Sequence, residues 1–262
     1  MDAVPPGGSP LMDELAGKVA VVTGGSRGIG RALVDGFAAE GAHVVVASRK
    51  LEACEAVAAE VREVHGVRAL PIAFHAASWA DCDRLAGTVA AEFGRCDVLV
   101  NNAGMSPHYP SLAEIDEAYY DKVSAVNLKG PFRLSIRIAE LMKAGDGGSI
   151  INVSTVGSLR PSGREIVYAC AKAGLNALTV ALADAYGPTV RANALLPGPV
   201  DTDIAAAWSD EMRAESTRDM PLGRMGVPED YVGPALYLAT SASRFVTGTI
   251  QRVDGGLYRQ MS

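Results

Sequence analysis

From Lys18 onward the chain alternates short aliphatic runs with longer stretches rich in Ala, Glu and Arg. The runs KVAVVT, HVVVAS, VRALPIAF, DVLVNN, GSIINVS, VRANALLP and GTIQRVD read as strands. Between them, helices are predicted near 30–41, 50–65, 79–94, 117–143, 167–186 and 228–240. Seven strands separated by helices predict an α/β fold: one doubly wound parallel sheet with right-handed crossovers and helices on both faces. Inside the long stretch 117–143, Asn127 is a poor helix former and marks a kink or a buried polar contact. The segment IAAAWSDEMRAESTRDM, before Pro221, is a loosely patterned helix that reads as a substrate lid near 203–220. Residues 1–14 read as a flexible tail ahead of a single domain spanning 15–262.

Composition narrows the partners. With 262 residues, 48% of them hydrophobic, the chain is long enough for a sizeable core, and no run is expected to span a bilayer. A formal charge of −6 provides neither a basic stripe for nucleic acid nor a cationic face for an anionic membrane. Small molecules and further copies of the chain are the expected partners. Cys54, Cys82, Cys96 and Cys170 form no CxxC pair and share no ligand spacing with the histidines, so no metal is expected and a reducing cytoplasm suits them.

Candidate chemistry gathers in GSIINVSTVGSLRPSGREIVYACAK, residues 148–172. Tyr168 and Lys172 stand one helical turn apart on one face. A tyrosine ordinarily ionises near pH ~10. A neighbouring ammonium is expected to lower that value and make the phenol a usable general acid or base. Ser154 and Thr155 lie just past a strand end, where α/β sheets carry ligands, and either hydroxyl could hold a substrate oxygen.

Upstream, TGGSRGIG places Gly24, Gly28 and Gly30 in a strand-to-helix turn, spaced GxxxGxG, where backbone can approach a pyrophosphate. The second strand ends in Ser48, Arg49 and Lys50 with no carboxylate for a ribose. Arg49, helped by Arg27, suits a 2′-phosphate, which points to NADP(H) rather than NAD(H). The fourth strand ends in Asn101-Asn102-Ala103-Gly104, whose small residues let a cofactor lie flat. After the sixth strand, Pro197 and Gly198 turn the chain and Thr202 could bond a nicotinamide amide.

TGGSRGIG, NNAG, Asn127, YACAK and PGPVDT occur in the order, and at about the spacing, of the classical short-chain dehydrogenase/reductase family, which the chain resembles from about Leu15 to Gly256. The resemblance implies a Rossmann-type fold and an oxidoreductase moving a hydride between NADP(H) and a carbonyl or secondary alcohol. It implies that Tyr168 exchanges the proton, that Lys172 lowers its pKa and binds the nicotinamide ribose, and that Asn127 holds a relay water. The family's serine lies thirteen residues before the tyrosine, which here is Thr155. The implied cofactor contacts add Ser26, Ile29 and Val200. Beside the adenine, where relatives often carry Asp, this chain has His75 and Ala76.

Relatives commonly form homotetramers through helices beginning near Glu117 and Val167 and through the C-terminal strand, and a homotetramer, or else a dimer, is expected here. A free ketone or alcohol, apolar or aromatic, is the expected substrate, lined by Met105, His108, Tyr109, Leu159 and Trp208. The alternatives are a 3-oxoacyl thioester on an acyl carrier protein and a catalytically silent NADP(H) sensor.

Overall fold

Each of the seven aliphatic runs forms a strand in the computed structural model, which describes residues 14–202, 211 and 217–258. Strands β1 (Val19–Thr23), β2 (His43–Ser48), β3 (Ala69–Ala73), β4 (Val98–Asn101), β5 (Gly148–Val153), β6 (Val190–Pro197) and β7 (Ile250–Val253) lie in the order β3-β2-β1-β4-β5-β6-β7. Every neighbouring pair is parallel. The connecting helices are α1 (Gly28–Ala39), α2 (Leu51–His65), α3 (Trp79–Phe93), α4 (Glu117–Ser124), α5 (Gly130–Ala144), α6 (Ile166–Tyr186) and α7 (Val232–Ala239).

The strands are continuously aliphatic because both faces of the sheet are covered. On β1, Ala20 and Val22 pack with Leu33, Phe37, Val57 and Leu238 of α1, α2 and α7, while Val19 and Val21 pack with Leu85, Val89, Ile138 and Met142 of α3 and α5. Local signals set several helix ends. Ser78 and Asp116 cap α3 and α4 by accepting the Asp81 and Tyr119 amides at 3.1 and 2.7 Å, and α2 and α3 stop at Gly66 and Gly94, whose φ values are +68° and +69°.

The stretch predicted as one helix over 117–143 is two helices joined by a π-helical turn, Ala125–Lys129. Asn127 sits fully buried inside that turn, as its poor helix propensity predicts. Gly130 opens α5 directly against β3's exit, where a Cβ would overlap the Ala76 carbonyl. Helix α7 is shorter than its predicted range because Pro228–Tyr231 forms a 3-10 turn. By length and mean hydropathy of 1.5, α6 would pass for a membrane span, against the sequence expectation; it is a flanking helix of the sheet and carries the buried Lys172.

A polar ladder, not anticipated from sequence, crosses the core. Asn101 Nδ2 donates to Ser135 Oγ and Asn152 Oδ1, both at 2.8 Å, and Asn152 Nδ2 donates to Thr179 Oγ1 at 2.9 Å. The ladder runs from α5 through β4 and β5 to α6, and all four residues are buried. Satisfied in this way, such groups fix one arrangement of helix against sheet.

The chain leaves β1 toward β2 and β3, then returns to place β4 on the other side of β1. The loops after β1 and β4 therefore run in opposite directions and open a crevice beyond the strand ends, where this class of fold binds ligands. Most of the expected lid at 203–220, Trp208 and the tail at 1–13 lie outside the described residues.

Candidate active site

A cleft of about 1100 Å³ fills this crevice, walled by the loops following β1, β2, β3, β4, β5 and β6 and by Leu257 and Tyr258 after β7. At its centre, the Thr23 hydroxyl accepts the Asn102 and Ala103 amides at 3.0 and 3.1 Å and donates to the Val100 carbonyl at 3.2 Å. Asn102 Nδ2 donates to the carbonyls of Thr23 and Gly24 at 3.0 and 3.3 Å. These bonds fasten the glycine turn to the end of β4.

The glycine turn fits a phosphate-bearing ligand on three observations. Gly24 and Gly28 have φ of +67° and +52°, in the region where side chains are strained, and a Cβ on Gly30 would overlap the Gly24 carbonyl. Helix α1 has neither a side-chain cap nor an acid in its first turn, so its N-terminal amides and positive dipole end face the cleft without a protein anion. Arg27 and Arg49 are exposed on the cleft wall, and among the described residues neither has an ion pair or side-chain hydrogen bond. Between them, Ser26 and Ser48 are hydrogen-bonded at 2.8 Å. Lys50, predicted with this group, is not on the wall and stands instead at the N-cap of α2.

Ile29, His75, Ala76, Ala103, Gly104, Pro197, Gly198, Val200 and Thr202 all reach the cleft. The Thr202 methyl lies over Gly28, where a Cβ would sit 3.4 Å away, and a bridge between Val200 and Gly226 holds the loop after β6.

The predicted proton-transfer group comes together on the opposite wall. Helix α6 presents Tyr168 and Lys172, and the loop after β5 presents Thr155, whose hydroxyl accepts the Gly157 amide at 3.2 Å and acts on the Tyr168 phenol to favour its ionised form. Ser154 is 3% exposed and directs its hydroxyl to the Lys172 carbonyl at 3.3 Å. Backbone alternation past the strand end thus separates two adjacent hydroxyls that sequence left as alternatives.

Lys172 is 2% exposed; its Nζ donates to the Val153 carbonyl at 2.6 Å and lies 5.8 Å from the centre of the Tyr168 ring. Burial pulls its pKa down to about 7. The expectation that the lysine lowers the tyrosine's pKa is not met. Burial, and then the charge of Glu165, push the phenol upward, while only the Thr155 hydrogen bond acts in the other direction. An amine held near neutrality and turned to a carbonyl supplies little cationic pull.

Asn127 does not line the cleft. Its Oδ1 accepts the Met105 amide at 3.2 Å, and its Nδ2 donates to the carbonyls of Met105 and Val123 at 2.8 and 2.9 Å. The side chain is wholly committed to backbone and braces the wall behind Gly104.

The expected substrate lining is largely replaced. Met105 is on the wall, but His108, Tyr109 and Leu159 are not. Tyr109 turns inward, packing edge-on against Tyr119 with ring centres 5.6 Å apart. In their place stand Ser106, Lys122, Gly157, Arg160, Ser162 and Glu165, which sequence reasoning missed although 156–165 directly follows a strand end.

The geometry has counterparts in known proteins. A family model described as enoyl-(acyl carrier protein) reductase matches residues 24–258. The L-rhamnose 1-dehydrogenase (NAD(P)(+)) of Azotobacter vinelandii is 39% identical over 251 residues, 93% of this chain and 98% of that protein. Among solved structures, a candidate NAD(P)-dependent gluconate 5-dehydrogenase from Beutenbergia cavernae, with NADP bound at low occupancy, has a TM-score of 0.89 at 37% identity and covers 95% of this chain and 99% of that one. A short-chain type dehydrogenase/reductase from Mycobacterium marinum has a TM-score of 0.87 at 32% identity, covering 94% and 97%. Fold, cleft and sequence agree across nearly the whole length, and the chain belongs to the classical short-chain dehydrogenase/reductase family of oxidoreductases.

Proposed function

We propose that the protein interconverts a carbonyl and a secondary alcohol on a free small molecule, with NADP(H) as cofactor. The observation that carries this reading is the grouping of Thr155 and Tyr168 with buried Lys172, in the same cleft as the glycine turn and two arginines that have no side-chain partner among the described residues. When bound, the dinucleotide supplies or accepts the hydride. Arg27 and Arg49 hold its 2′-phosphate, and the amides opening α1 hold its pyrophosphate. Tyr168 gives a proton to the carbonyl oxygen during reduction and takes it from the hydroxyl during oxidation. Thr155 positions that oxygen, and Lys172 would bind the nicotinamide ribose. Asn127 acts by holding Met105 and Gly104 in place.

A carrier-bound thioester is the second reading, favoured by the description of the matching family model. Docking an acidic carrier wants free basic groups near the cleft. Arg133 and Arg137 on α5 are both paired with Asp83, and AELMKAGDGG and ALADAYGP offer only Lys143 among three acidic groups, which favours the free substrate, whereas exposed Lys122 and Arg160 on the cleft wall favour the carrier.

NADPH oxidation, followed against panels of free ketones and aldehydes and of carrier-bound thioesters, tests the reading. Consumption with free carbonyls is expected. Turnover of thioesters alone would replace the substrate class, and silence of a nucleotide-binding protein across both panels would favour a sensor.

Assembly as a homotetramer belongs to the same proposal. Ile166 and Val180 on α6, with Tyr120 on α4, are exposed apolar groups suited to a second copy. Light scattering returning a monomer mass at working concentration would refute it.

A further inference from the structure

Tyr109 does not face the substrate; it fixes a residue that does. Its hydroxyl donates to the Gly163 carbonyl at 2.7 Å and accepts the Ile166 amide at 3.0 Å, pinning the chain on both sides of Glu165. The Glu165 amide adds a bond to the Ser162 carbonyl at 3.3 Å. Held in this way, the Glu165 side chain enters the cleft one turn before Tyr168. Its carboxylate occupies the space over Gly157, where any Cβ would overlap Oε1. Among the described residues it has no hydrogen-bond or ion-pair partner for its side chain, although it is half-buried. Burial raises its pKa, the sign of a carboxyl lacking a donor.

An unpaired, partly buried carboxyl is costly unless something donates to it. Its neighbours define what that donor is. Glu165 shares the cleft with Thr155 and Tyr168, and its charge acts on the Tyr168 phenol, so it stands among the groups that surround the reacting oxygen. Ser106, Ser162 and Arg160 line the same end of the cleft and offer further polar contacts. An apolar ketone would leave the Glu165 carboxylate without a donor, and sites built to bond a hydroxyl discriminate strongly against analogues that lack it.

We infer that Glu165 determines specificity by accepting a hydrogen bond from a hydroxyl adjacent to the reacting carbon, so that the substrate is a polyhydroxylated compound of the sugar or polyol class. This inference rests on the oxidoreductase reading above, and it replaces the apolar or aromatic substrate expected from sequence.

The test compares oxidation, with NADP+, of pentoses, hexoses and alditols against 1-phenylethanol and cyclohexanol. The wild type is expected to favour a hydroxylated substrate by at least about tenfold in kcat/KM. Glu165→Leu should lower the ratio of kcat/KM for the hydroxylated substrate to that for the apolar alcohols by about 10²-fold or more, mainly through KM for the hydroxylated substrate, whereas Glu165→Gln should keep that ratio within about tenfold. A second readout needs no turnover. In Tyr168→Phe loaded with NADP+, the preferred sugar should raise Tm, and Tyr168→Phe/Glu165→Leu should lose that shift while keeping the one produced by NADP+. An unchanged substrate ratio in Glu165→Leu, or wild-type turnover confined to apolar alcohols, overturns this inference and leaves the oxidoreductase reading standing. Turnover of neither class overturns both.

Discussion

The hydroxyl of Thr155 acts on the phenol of Tyr168 across the cleft wall they share, whereas the adjacent Ser154 hydroxyl is buried against the carbonyl of Lys172. The two side chains therefore have separable consequences. Thr155→Val is expected to lower kcat by about 10²-fold or more, in the range of lost transition-state hydrogen bonds. Ser154→Ala should instead cost about 1 kcal/mol of stability with little effect on kcat. Steady-state kinetics and urea melts on both variants check the assignment, and the reverse pattern would exchange the roles.

Tyr168→Phe removes only the phenolic oxygen. Redox turnover should fall by about 10³-fold or more while NADPH still binds, as read by fluorescence titration. Full activity with bound nucleotide would remove the tyrosine from the proton path.

Because Arg27 and Arg49 are exposed and have no side-chain partner among the described residues, removing either should spare the fold. Arg49→Ala is expected to raise KM for NADPH by about tenfold, consistent with the loss of a charge-assisted bond, and to leave KM for NADH nearly unchanged. Equal losses with both nucleotides would show that the guanidinium does not meet the 2′-phosphate.

The buried Lys172 makes stability depend on pH. Its folded pKa, about 7, lies below its ordinary 10.5, so between these values the unfolded chain binds more protons. The Lys172 contribution is therefore fully present above pH ~10.5 and is lost as pH falls toward about 7, with a limiting slope of about 1.4 kcal/mol per unit. Urea midpoints at pH 7 to 10 should rise more steeply for the wild type than for Lys172→Met; parallel curves would contradict the buried amine.

The polar ladder predicts a stability effect remote from the cleft surface. Asn152→Leu removes the middle of the ladder, leaving Asn101 with only Ser135 and Thr179 with only the Leu175 carbonyl, and is expected to destabilise the fold by about 1–3 kcal/mol, measured by urea denaturation.

Much of this architecture is readable from residue patterns because it depends on local chemistry. A strand buried on both faces must be aliphatic throughout, and a turn at positive φ calls for glycine, so β1 and Gly24 announce themselves. Asn127 likewise signals the break in its helix. Features set by distant packing are not legible in this way. Asn101 and Asn152 are 51 residues apart in the chain, and no local pattern pairs them. Tyr109 suits a pocket by residue type but serves as a brace, because its hydroxyl reaches Gly163, 54 positions away. The spacing of Tyr168 and Lys172 is visible, yet the direction of the phenol's shift depends on burial and on Glu165, which only the packed chain determines.

The bonds linking α5, two central strands and α6 also constrain how this scaffold can diversify. Sliding the last of these helices by one turn would break a chain of contacts that is out of reach of water, so the helix bearing the phenol behaves as a fixed rail. New chemistry at these strand ends must arise from exchanging the loops around that rail, with each new loop meeting a phenol already at its station.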